Sequence, residues 1–111
     1  MRIYTHPSGQ HYVNAIYGDS GELAGKLYQL HAGPVMHSLR FQDQKVEDGA
    51  NGLLNEQLLE VLIHRLGVLQ QKAPCSENEH AISHLTMALH ALGARGKRLA
   101  AESSTSEEAT Q

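Results

Sequence analysis

His80 and His84 stand one helical turn apart, the spacing at which two imidazoles can share a zinc ion. The run His80-Ala81-Ile82-Ser83-His84 lacks the glutamate that follows the first histidine in zinc proteases, because Glu79 precedes it. A third ligand would have to come from elsewhere, and Cys75 is the only thiol. No metal site is assigned, and the histidines read as a solvated helix face or a subunit contact. Hydrolysis needs a nucleophile oriented by a base, or paired carboxylates in a cleft. The sequence has no nucleophile elbow and no phosphate-cradling glycine loop, and Cys75 sits at a helix start where a structural role suits it. The expectation is a protein that is not an enzyme and carries no cofactor. Arg95, Lys97 and Arg98 have two readings: a solvated helix end that complements the dipole, or an anion clamp built on the planar arginine fork.

These residues belong to two helical segments between Gly49 and Arg98. Asn55 can cap the first, and Leu58, Leu59, Leu62, Leu66 and Leu69 recur at three- and four-residue spacing, a stripe widened by Val61, Ile63 and Val68. Pro74 disfavours helix in the residue before it. Ser76-Glu77-Asn78-Glu79 then reads as a capping box, and Ala81, Ile82, Leu85, Ala88, Leu89 and Leu92 continue at helical spacing until Gly93 and Gly96 loosen the end. So short a connector returns the second helix antiparallel to the first. Apolar surface on several sides of a hairpin calls for cover from the sheet or from other copies, so an oligomer is expected.

Residues 2–47 lack helical periodicity but alternate in short runs. Four strands are expected: Ile3 to Thr5 with their neighbours, His11 to Tyr17, Lys26 to Leu30, and Met36 to Phe41, the last with His37, Leu39 and Phe41 on one face and Met36, Ser38 and Arg40 on the other. The fold class is therefore α+β: a small N-terminal antiparallel β-sheet followed by a C-terminal antiparallel two-helix hairpin. Residues 1–50 form the β-rich part and 51–101 the hairpin of one domain, and 102–111 form a disordered acidic tail.

The chain has 111 residues and a formal net charge of −3, which argues against a DNA or RNA binder held by bulk charge. A lone cysteine permits no intrachain disulfide and makes a reducing compartment the default. No apolar run approaches the roughly 20 residues of a membrane span. The chain reads as cytosolic, with no membrane partner.

From Gly49-Ala50-Asn51-Gly52-Leu53-Leu54-Asn55-Glu56-Gln57-Leu58-Leu59 onward the sequence resembles a phage hairpin family. His64-Arg65-Leu66 and Leu69-Gln70 fall where that family has its His-Arg-Leu and Phe-Gln. Cys75-Ser76-Glu77-Asn78 matches its Cys-x-Glu-Asn connector, and Ala81, His84-Leu85, Ala88-Leu89, Leu92 and Arg95 follow in its spacing. The upstream Leu39-Arg40-Phe41-Gln42 looks like its lead-in strand. The family is the hairpin shared by the anti-Thoeris and anti-CBASS sponge proteins, which sequester nucleotide immune signals without degrading them.

The resemblance implies a homo-oligomer, commonly a hexamer, with pockets between subunits, acting in the cytoplasm of an infected bacterial host. The strands favour the anti-Thoeris branch, whose ligands are cyclic ADP-ribose isomers and, in some members, cyclic oligonucleotides. The family's pocket residues fall on Leu69, Asn78, Arg95 and Arg98, with Arg40, His64 and Arg65 as further ligand-binding candidates from the matched strings. Three departures stand out: Leu69 replaces a stacking aromatic, the connector is one residue shorter, and a residue is missing from the basic run after Arg95. The alternative reading is a phage assembly or accessory protein that uses the hairpin without a nucleotide ligand.

Overall fold

The structure, a computed structural model, describes residues 1–110; Gln111 and the side chains of Leu23 and of residues 103–110 lie outside that description. Four antiparallel strands, β1 (Arg2–Thr5), β2 (His11–Tyr17), β3 (Leu23–Ala32) and β4 (Val35–Arg40), pair in sequence order, and helices α1 (Asn55–Lys72) and α2 (Ser76–Thr110) follow. The expected α+β class and element order hold. The chain divides into two compact units, Met1–Leu54 and Asn55–Gln111, with the division four residues after the expected end of the β-rich part.

In the sheet unit the hairpin turns follow from local chemistry. Between β1 and β2, the Ser8 amide donates to His6 Nδ1 at 3.1 Å and the Gly9 amide to the His6 carbonyl at 2.8 Å. Gly9 takes φ 77°, a region open to glycine at little cost. β3 is longer than the Lys26–Leu30 run that sequence alone suggested, because the β2–β3 register shifts between Ala15 and Tyr17 and Gly25, at φ 66°, lets the strand continue through the irregularity. Register places Tyr12, His31 and Met36 on one face and Val13, Leu30 and His37 on the other. The first face carries a column: the Arg2 guanidinium lies 3.8 Å from the Tyr12 ring centroid, and Tyr12 stacks on His31 at 4.4 Å. Among the described residues Ala15 alone is buried.

The segment leaving β4 is held by side-chain hydrogen bonds, four of them made by Gln42. Gln42 Nε2 donates to the carbonyls of Gln44 and Gly49 at 3.0 and 2.8 Å, and its Oε1 accepts from the amides of Asn51 and Gly52 at 2.9 and 3.2 Å. Asn51 in turn accepts from the Asp43 amide and donates to the Asp43 carboxylate. Leu53 then lies parallel to Phe41. Its amide donates to the Arg40 carbonyl at 2.8 Å, and its carbonyl accepts from the Gln42 amide at 2.8 Å. Gly52 is needed there, since a Cβ would stand 2.5 Å from the Phe41 carbonyl carbon.

In the helical unit, α1 takes in Asn55, expected as its cap, as its first residue, and α1 and α2 pack together. Half-buried Leu59, Ile63, Leu66 and Gln70 mark the seam on α1, and Asn78, Ile82, Leu85 and Leu89 mark it on α2. The capping box is not formed at the expected register. The first bond of α2 runs from the Glu79 amide to the Cys75 carbonyl, so Cys75 holds the cap position and Asn78, not Glu79, stands three residues on. The Gln70 side chain secures the connector by accepting from the Cys75 amide at 3.0 Å.

α2 runs past its expected end. Neither Gly93 nor Gly96 takes positive φ, and the helix passes Arg98 to reach Thr110. Leu99-Ala100-Ala101-Glu102 supplies good helix formers and no proline, so nothing stops it there. The expected acidic tail falls largely on side chains outside the described residues. Among the described residues Leu92 is the last that is half-buried, and Gly93 through Glu102 are all exposed.

Candidate ligand-binding site

On α1, residues 60, 61, 64, 65, 68, 69 and 72 recur at steps of one, three and four, so they share one side of the helix. They line a concavity of about 620 Å³. Three of the seven sequence candidates, His64, Arg65 and Leu69, meet here. Val61 and Val68 form an apolar floor exposed to 62% and 38%, and Arg65 and Lys72 bring two cations, with Glu60 at the far end. An anion with an apolar portion suits such a surface: guanidinium and ammonium donors can hold a phosphate while the valines and Leu69 lie against a sugar or base. Lys72 and the valines were missed as site residues, although Val61 and Val68 stand seven residues apart and Lys72 one turn further on.

The other candidates lie elsewhere. Asn78 is half-buried on the seam side of α2, in line with Ile82 and Leu85, so its place is set by packing against α1. Arg95 lies 17 residues further along the same helix, about 26 Å at 1.5 Å per residue. One mononucleotide cannot touch both within a single chain. Arg98 lies one turn beyond Arg95 and pairs with Glu102 at 3.7 Å, an exposed i,i+4 contact of small strength. Because α2 continues for three turns past Arg98, the cluster is not at the C-terminal dipole, and the dipole reading of Arg95, Lys97 and Arg98 is corrected.

Arg40, in the sheet unit, lines a separate concavity of about 460 Å³ with Tyr17, Asp19, Glu22 and Lys26. Lys26 is already engaged, its Nζ lying 2.8 Å from Asp43. The hydrogen bond and charge of Asp43 hold the Lys26 ammonium above its ordinary pKa. Asp43 is held below the usual carboxylate range, first by its bond from Lys26 and then by Asn51.

His80 and His84 are both exposed, and among the described residues no three His, Cys, Asp or Glu side chains are placed to hold a metal ion. Among those residues no helix is long and apolar enough to cross a membrane. No family model matches the chain. No curated protein matches it either.

Proposed function

We propose that the chain is a sponge for cyclic nucleotide signals, binding them in stoichiometric amounts and releasing them unchanged. The observation that carries the reading is the α1 face, where His64, Arg65 and Lys72 line an open, shallow groove beside Val61 and Val68. The resemblance of the hairpin to the anti-Thoeris and anti-CBASS sponges supports the same chemistry. The separation of Asn78 from Arg95 favours pockets completed by helices from different copies, in a homo-oligomer that the family's habit would make a hexamer. The exposed stretch Gly93–Glu102 leaves Arg95 accessible to such a neighbour. Action in the cytoplasm of an infected bacterium follows from that role.

A second reading, a hairpin used only for phage assembly, draws on the exposed Val61, Leu62, Val68 and Met87, which a protein partner could cover as well. A thermal-shift panel of cyclic ADP-ribose isomers and cyclic oligonucleotides separates the two. A ligand held far above its dissociation constant stabilises by about 3–4 kcal/mol. Heat-released ligand of unchanged mass excludes degradation, and a panel with no shift leaves the assembly reading standing.

A further inference from the structure

Asn51 is the one asparagine of four that is followed by glycine. In such a pair the glycine nitrogen can reach the asparagine side-chain carbonyl carbon, because no Cβ shields it and the backbone turns freely. Once its proton has passed to solvent, that nitrogen attacks Cγ, the new C–N bond closes an imide ring, and the side-chain nitrogen leaves as ammonia. Water then opens either C–N bond of the imide, giving aspartate or, with the chain rerouted through Cγ, isoaspartate. The sum is one water taken up and one ammonia released, and no oxidant or co-reactant enters. The fold both requires this pair and restrains it. Glycine is required at 52 because Phe41 and Arg40 backbone atoms lie 2.5–2.8 Å from where a Cβ would stand. Asparagine suits 51 because its Oδ1 accepts from the Asp43 amide at 3.1 Å while its Nδ2 donates to the Asp43 carboxylate.

Both reacting groups are therefore tied down. The nucleophile, the Gly52 nitrogen, gives its proton to Gln42 Oε1 at 3.2 Å, and both ends of the Asn51 side-chain amide are tied to Asp43. Leu53 fastens the next residue, bonded to the Arg40 carbonyl and the Gln42 amide at 2.8 Å each. Attack needs the Gly52 nitrogen off Gln42 and the Asn51 side chain off Asp43, so the reaction runs through local opening of this clasp. We propose that Asn51-Gly52 is a self-modification site guarded by Gln42 and Asp43, where deamidation follows opening of the segment and makes that opening permanent. Water for the hydrolysis is at hand, since Asn51 is exposed. In the aspartate product the Nδ2 donor becomes a carboxylate oxygen facing the Asp43 carboxylate, and like charges repel. Isoaspartate adds a backbone carbon between residues 51 and 52, which moves Gly52 out of register with Gln42 and draws Leu53 away from Arg40. Neither product can remake the clasp.

The test incubates the full chain at mildly alkaline pH, native and in urea, and follows deamidation at Asn51 by the fragment masses of its proteolytic peptide. The native chain is expected to react at least about tenfold more slowly than the chain in urea. Gln42→Ala frees the Gly52 amide and Asp43→Ala frees the Asn51 side chain, so each is expected to react several-fold faster than the parent under native conditions. Circular dichroism checks that each variant keeps its sheet; if one does not, the other decides, together with the comparison of native chain and urea. Asn51→Asp reproduces one product and is expected to lower the urea midpoint. Equal rates in the native chain and in urea overturn the guard. Folded variants as slow as the parent overturn the part given to Gln42 and Asp43, and a slower Asp43→Ala makes that carboxylate an accelerator instead. An Asn51→Asp chain as stable as the parent overturns the permanence of the opening.

Discussion

At the scale of single residues, the positions that matter most to the fold are not those that sequence marked for chemistry. Gln42 closes the segment from Asp43 to Gly52 with four hydrogen bonds, and no spacing rule announces a side chain that reaches up to ten residues ahead. Gly52 is fixed by close backbone approach, with Phe41 and Arg40 backbone atoms 2.5–2.8 Å from where a Cβ would stand. Gly52→Ala therefore forces backbone to move, and a loss of about 1–3 kcal/mol in urea unfolding is expected. Asp43 gives a pH signature. Its pKa is lowered in the fold, so its contribution is present above the unfolded value and fades as pH falls through the folded one. Lys26 is raised, so its contribution is present below its unfolded value and fades as pH rises through the folded one. Both groups face solvent and the effect is small. Asp43→Asn should lower stability at neutral pH, and the difference from the parent should vanish in acid.

At the scale of elements, β2 was legible to its ends and α1 to within a residue at its start, because alternation and leucine spacing are local signals with clear punctuation. The end of α2 was not. Glycines at 93 and 96 read as a stop, but a stop needs a left-handed residue or a proline, and neither glycine adopts that conformation. Both are instead weak points inside a continuous helix. A methyl group at either meets nothing within 4 Å among the described residues. Gly93→Ala and Gly96→Ala should each raise stability by about 1 kcal/mol, seen as a higher denaturation midpoint with more helical dichroism. A loss would mean that another copy packs closely at that spot.

At the scale of the molecule, the candidate site was legible in part. His64, Arg65 and Leu69 gather on one helix side as their spacing allows, whereas Asn78 and Arg95 came from a likeness that carries no distance information. Arg95 is exposed, so Arg95→Ala should leave the melting temperature nearly unchanged. If it forks onto a phosphate supplied to a shared pocket, calorimetry should show a loss of about 2–4 kcal/mol of binding with the panel's ligand. Arg95→Lys should recover only part of it. Leu69→Phe restores a stacking surface beside the concavity and should tighten binding, with weaker binding counting against a family-like pocket. The uneven cover of α2 also has a consequence in time. Up to Leu92 its amides lie on a helix with a partner along its length, while from Gly93 to Glu102 the same hydrogen-bond ladder stands on exposed residues interrupted by two glycines. Deuterium should enter the second stretch orders of magnitude sooner than the first in dilute solution. Where copies assemble at high concentration, that boundary should move toward the C-terminus, so exchange along one helix becomes a ruler for how much of it a neighbour covers.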